Sequence, residues 1–228
     1  MKLNIIIFAV YGIILGLVTI PLSKKLTLSR TDDPGMAAPL NKTSVKILAV
    51  VLGLIAAAGI VFTAKSYSLM IRDLLLLVPI FSISFVDALV RKIPNPLLLT
   101  MLGIDIVSLI YECIKLDDSD EVLDLIFKPI LGVALGMVVC IIPSLLKIPM
   151  GAGDVKYSGV IGFTVYAFGY FQAMILMAVL VALFWVYLKI SKKGDVKTQI
   201  PMGPFLSIGT IITMCFSLTQ IVGEVSLF

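Results

Sequence analysis

The chain contains no histidine, only three cysteines and a single tryptophan, and charged residues make up just 14% of its 228 positions. The missing histidine excludes every His-based catalytic triad and the usual zinc-hydrolase ligand sets. The cysteines, Cys113, Cys140 and Cys215, are scattered with no CxxC spacing. They read as small apolar fillers of helices, not as a disulfide framework or a metal site. No GxxxxGK[ST], GxGxxG, internal repeat or low-complexity tract occurs, so nucleotide-binding loops and repeat architectures are excluded as well. The net charge of +4 is too small to point to nucleic acid. What the sequence has in abundance is apolar surface. Hydrophobic residues reach 60% and mean hydropathy is +1.12, against about 45–50% apolar and about 25% charged residues in soluble domains. A water-soluble fold cannot cover that surface, so the composition predicts a multi-pass, all-α membrane protein.

Eight apolar segments are predicted as transmembrane helices: Leu3–Leu22, Val45–Thr63, Leu74–Val90, Leu97–Ile114, Leu125–Leu146, Val155–Phe168, Phe171–Ile190 and Pro204–Val222. The sixth is short and rich in Gly and Tyr, and reads as a partly re-entrant candidate. The longest loop, residues 23–44, carries the turn sequence Thr31-Asp32-Asp33-Pro34-Gly35. Residues 1–228 thus read as a single membrane-embedded domain with no soluble domain. With the N-terminus outside, the inner loops hold Lys24, Lys25, Arg30, Lys42, Lys46, Arg91, Lys92, Lys147, Lys156, Lys189, Lys192, Lys193 and Lys197, which are 13 of the 18 basic residues. The outside keeps Lys2, Lys65, Arg72, Lys115 and Lys128 together with the acidic run Asp117–Glu121. This asymmetry is what the positive-inside rule expects of an even number of spans with both termini outside.

A carboxylate near mid-bilayer costs about 2.5–3.5 kcal/mol on insertion scales, so each one needs a reason. Asp73 follows Arg72 at an outer helix end and reads as interfacial. Asp105, about nine residues into the fourth segment, reads as hydrogen-bonded to a Ser, Thr or Tyr of a neighbouring helix. Asp87 lies near the inner end of the third segment, before a turn at Ile93-Pro94-Asn95-Pro96 that the two prolines enforce. Asp154 closes Gly151-Ala152-Gly153-Asp154 at the inner entry to the sixth segment. Topology therefore places Asp87 and Asp154 at similar depth on the same face, although 67 positions separate them. Two facing carboxylates can share one proton and supply an acid and a base together. Alone, each aspartate could equally be a helix cap or an interfacial anchor.

Three stretches carry a resemblance to the type IV prepilin peptidases, membrane aspartic proteases of the GxGD class. Asp87-Ala88-Leu89-Val90-Arg91-Lys92-Ile93-Pro94-Asn95 is similar to the first family motif, an aspartate followed seven positions later by the proline of an Ile-Pro-Asn/Asp turn. Gly151-Ala152-Gly153-Asp154-Val155-Lys156 is similar to the second, and Ile200-Pro201-Met202-Gly203-Pro204-Phe205 resembles the turn before the last helix. The resemblance implies that Asp87 and Asp154 are the catalytic pair and that Gly151 and Gly153 shape the loop presenting Asp154. Lys156, Asn95, Pro201, Gly203 and Pro204 become supporting residues, with Lys156 equally readable as a positive-inside anchor. It further implies a bacterial cell-membrane enzyme that cleaves the leaders of prepilins or pseudopilins at the cytoplasmic face. No metal and no cofactor would be required, and the bilayer and the pilin-like substrate would be its partners. The substrate's apolar segment would enter laterally, and the loops Gly151–Asp154 and Ile200–Gly203 could accept its backbone. Many family members have a larger first cytoplasmic loop with paired CxxC motifs and also N-methylate the product. Here that loop spans about 22 residues without cysteine, which predicts a peptidase with little or no methyltransferase activity. The alternatives are another GxGD protease of preflagellin type, and a non-enzymatic transporter or assembly protein using Asp87 and Asp105 to bind ions.

Overall fold

The computed structural model describes residues 2–145, 151–191 and 200–217, and every regular element among them is helical. Seven α-helices follow in order: α1 (Lys2–Leu28), α2 (Thr43–Thr63), α3 (Tyr67–Val90), α4 (Asn95–Ile114), α5 (Ser119–Leu145), α6 (Ala152–Ile190) and α7 (Met202–Cys215). A 3-10 helix, Pro34–Asn41, bridges α1 and α2 and is capped by Asp33, whose side chain accepts from Gly35 N–H at 2.8 Å. Helices α1 to α6 are long and apolar enough to cross a membrane, as in a polytopic membrane protein. Large apolar side chains stand exposed on their outward faces, among them Leu17, Ile55, Val107, Leu131 and Ile175. In water such a belt would aggregate; against lipid it is solvated. Several hydroxyls inside the helices are satisfied locally, as where Thr19, Ser82 and Thr210 donate to the carbonyl four residues back.

The sequence-predicted segments and the helices differ in informative ways. α1 runs six residues past Leu22. α3 begins at Tyr67, seven residues before the predicted start, because Ser66 caps it by accepting from Leu69 N–H at 3.3 Å. The sixth and seventh segments both lie in α6, which contains a break at Tyr166 (φ 59°, ψ 179°). Straight, its 39 residues would measure about 58 Å, nearly twice the roughly 30 Å of a hydrocarbon core. Instead the Ser158 and Tyr170 hydroxyls hydrogen-bond at 2.5 Å. Twelve residues of straight helix would separate them by about 18 Å, so the chain folds back at Tyr166 into a helical hairpin. The eighth segment was predicted to reach Val222, but α7 ends at Cys215, where Phe216 leaves helical geometry. Val222, Leu146 and the basic residues Lys147, Lys192, Lys193 and Lys197 lie outside the described residues.

Close backbone approach holds neighbouring helices together. α5 carries Gly132-Val133-Ala134-Leu135-Gly136, a small-xxx-small stripe that meets Ser158 to Gly162 of α6. A Cβ on Gly132 would collide with the Gly162 carbonyl oxygen, so no side chain fits there. The stripe Gly12 to Gly16 of α1 seats α2 in the same manner. α7 lies along both halves of the α6 hairpin: Ser207 bonds Tyr157 before the break, while Gln172 Nε2 donates to Phe216 O at 2.6 Å and Phe205 packs on Phe184 after it. One core, built on Leu76, Ile80, Ile83, Met101, Tyr157, Ile161 and Leu206, joins α3, α4, α6 and α7. The junctions α3–α4, the start of α6 and the start of α7 all emerge at one end of it.

Candidate active site

Asp87 occupies the last turn of α3. The helix stops one turn later because Arg91 adopts the left-handed conformation (φ 52°, ψ 40°) and donates its N–H to the Asp87 carbonyl at 2.9 Å. Pro94 then caps α4, with Asn95 as its first residue, so the predicted proline turn and the start of α4 coincide. The Asp87 side chain is only 4% exposed. Its Oδ2 accepts the Gly203 N–H at 2.8 Å, an orphan donor of the first turn of α7 whose partial positive charge suits an anion. A Cβ on Gly203 would stand 2.7 Å from Asp87 Oδ2 and 2.8 Å from its Cβ, so only glycine fits.

Asp154 is in the first turn of α6, half-buried, with its N–H on the Gly151 carbonyl at 3.0 Å. Gly151 is the extended N-cap residue (φ −68°, ψ 133°), and the Asp154 carboxylate folds back against its backbone. A Cβ on Gly151 would lie 2.7 Å from Asp154 Oδ2. Gly153 packs directly on Ile93, where an added Cβ would meet the Ile93 Cβ at 3.2 Å. This contact lays the Gly-x-Gly-Asp loop against the turn that follows Asp87. The two carboxylates are near enough for their like charges to act on one another, and the Arg91 guanidinium also bears on Asp87.

The remaining sequence candidates divide. Pro201 caps α7, and Pro204 sits in its first turn, where a missing N–H costs nothing. Gly203 belongs to the helix and spends its N–H on Asp87. The expectation that the Ile200–Gly203 turn offers backbone to an incoming peptide therefore fails at Gly203. Asn95 and Lys156 are exposed and line a slot of about 390 Å³ between α4, α5 and α6. Asp154 and Lys156 are two positions apart on one helix, about 200° round its axis.

Comparison with family models, curated proteins and solved structures finds no match. The site is therefore read from its own geometry.

Two features escaped the sequence reading. One turn deeper than the carboxylates, the Tyr157 hydroxyl bonds Ser207 Oγ at 2.6 Å, both fully buried, with Tyr157 within electrostatic reach of Asp87. The available signal was spacing: Tyr157 follows Asp154 by three positions and Ser207 follows Gly203 by four, one helical turn each. The second feature is a polar cluster at the opposite end of the bundle. Asp73 was expected at an interface, yet it is 8% exposed, with Arg72 Nη2 at 2.7 Å from its Oδ1. The early start of α3 draws both residues into the helix, and their pairing makes burial tolerable. Asp105, 3% exposed, accepts from Thr164 Oγ1 at 2.6 Å, as the sequence led one to expect of a neighbouring hydroxyl. Its other oxygen, Oδ1, has no protein partner among the described residues, and Asp105 borders a cavity of about 20 Å³ also lined by Arg72, Ser108, Glu112 and Tyr166. That volume suits one water molecule with several polar neighbours.

Proposed function

We propose that the chain is a membrane aspartic endopeptidase that removes the leader from prepilin-like proteins at the cytoplasmic face of a bacterial cell membrane. The observation that carries the reading is the convergence of Asp87 and Asp154, from motifs 67 positions apart, on one end of the helical bundle. One carboxylate takes a proton from a water molecule, whose oxygen attacks the scissile carbonyl carbon. The other donates its proton to the carbonyl oxygen, and collapse of the tetrahedral adduct expels the amine, which carries a proton away. The Gly203 N–H orients the Asp87 carboxylate, and Asp154 sits against the Gly151 backbone at the start of α6. The roles titrate as a pair and belong to the pair.

The surplus of lysine and arginine in the loops beside Asp87 and Asp154 supports an eight-segment topology with this end inside. The fold-back of α6 at Tyr166 is compatible with an eight-segment count, in which its two halves would cross separately. The cysteine-free loop of residues 23–44 supports a peptidase without the associated methyl transfer.

The test is cleavage of a membrane-anchored prepilin by wild type, Asp87→Ala and Asp154→Ala, with membrane levels measured in parallel. Both variants are expected to lose about 10²–10⁴-fold in rate at normal levels. The wild-type rate is expected to fall on both sides of a pH optimum, since one proton must be held by the pair. Activity retained in either variant overturns the assignment.

A further inference from the structure

The slot bordered by Asn95 and Lys156 belongs to neither polar cluster. It exists because the three helices around it pack unequally. α5 meets α6 backbone to backbone through its glycine stripe, whereas α4 and α5 barely touch. The wedge left between them widens to about 390 Å³, within the range of small-molecule sites. Its walls are Leu98, Leu99 and Leu102 of α4 and Val133 and Met137 of α5, and its floor is Gly159, which contributes no side chain. Leu99 is 69% exposed at the rim, so the slot opens toward the surrounding bilayer. At one end only, the lining turns polar, with the Asn95 amide and the Lys156 ammonium. Lys156 forms none of the ion pairs among the described residues. The one carboxylate beside it in sequence, Asp154, points to the opposite side of the helix.

We propose that this slot is a binding site for an anionic phospholipid, with the phosphate held by Lys156 and Asn95 and one acyl chain laid between α4 and α5. The shape and charge argue for this occupant together. An apolar channel open to the bilayer and closed by a cation at headgroup depth matches a single amphiphile with a negative head. A peptide substrate of the carboxylate pair matches less well, because the slot faces about 200° away from Asp154 round the α6 axis. The inference does not require the chain to be a peptidase.

Native mass spectrometry of the full-length, detergent-solubilised protein with dioleoyl phosphatidylglycerol or dioleoyl phosphatidylcholine tests it. Wild type is expected to retain the glycerol lipid roughly 5-fold over the choline lipid, the scale of one lysine at a membrane surface. Lys156→Gln is expected to erase that preference, Lys156→Arg to keep it, and Lys24→Gln, on the α1 side, to leave it unchanged. Leu102→Trp, which fills the slot, is expected to lower retention of both lipids, while Ile55→Trp on α2 does not. A phosphatidylglycerol with a diazirine in its acyl chain is expected to label α4 and α5 of the unmodified protein above all other helices. Equal retention of the two lipids by wild type, an unchanged preference in Lys156→Gln, or labelling spread evenly over the helices overturns the proposal. So does labelling of this slot by a substrate's apolar segment and not by lipid.

Discussion

At one end of the bundle Asp73 lies against the Arg72 guanidinium and Asp105 accepts a threonine hydroxyl; at the other, Asp87 accepts the Gly203 backbone N–H and Asp154 lies against the Gly151 backbone. All four carboxylates come from helices apolar enough to cross a membrane, and the cost of putting them there is similar. The means of lowering that cost differ. A guanidinium neutralises its partner and fixes it with directed hydrogen bonds, which makes the pair a structural clasp. A backbone N–H supplies only a partial charge and one bond, so it positions a carboxylate without neutralising it. The same residue type thus reads as architecture or as chemistry according to what faces it.

Neutral isosteres sharpen this contrast most strongly. Asp87→Asn or Asp154→Asn is expected to cut turnover about 10²–10⁴-fold with little change in melting temperature, and Asp73→Asn to do the reverse. Comparable loss of turnover per folded molecule in all three would erase the distinction. Arg72→Leu leaves a buried carboxylate alone and is expected to cost about 3–5 kcal/mol, whereas Arg72→Leu with Asp73→Leu recovers most of it; thermal unfolding in detergent reads both. Gly203→Ala pushes a methyl group into Asp87. Since displacing a catalytic group by about 1 Å can cost about 10²-fold, turnover is expected to fall on that scale, measured against membrane level. Unimpaired turnover in this variant would show that the Gly203–Asp87 contact is dispensable. The smallest effect belongs to Thr164→Val, which removes the donor to Asp105 and is expected to lower stability by about 1–2 kcal/mol with turnover intact.

Much of this was legible in the sequence. Long apolar runs located the helices, and the same-face placement of Asp87 and Asp154 followed from counting crossings. What stayed hidden depended on three-dimensional partners. α3 starts seven residues early because an isolated serine, Ser66, caps it, and hydropathy does not register a cap. Asp73 looked interfacial because its neighbour Arg72 appeared to mark a helix end, when the two neutralise each other inside one. Gly203 stood out within a motif, but its purpose, to bring a peptide N–H within 2.8 Å of Asp87, is a relation across 116 positions. Tyr157 and Ser207 carry no motif at all and become visible only as a layer beneath one.

The Gly203–Asp87 bond also bears on motion. Because an α7 amide grips an α3 side chain with no room for even a methyl group between them, a shift of either helix end is resisted by the other. Among the described residues Asp154 has no such tether to α7, yet one turn further along α6 Tyr157 is fastened to Ser207. Asp154 is therefore located by packing, with Gly153 resting on Ile93 of the turn that follows Asp87 and the Tyr157–Ser207 bond beneath it.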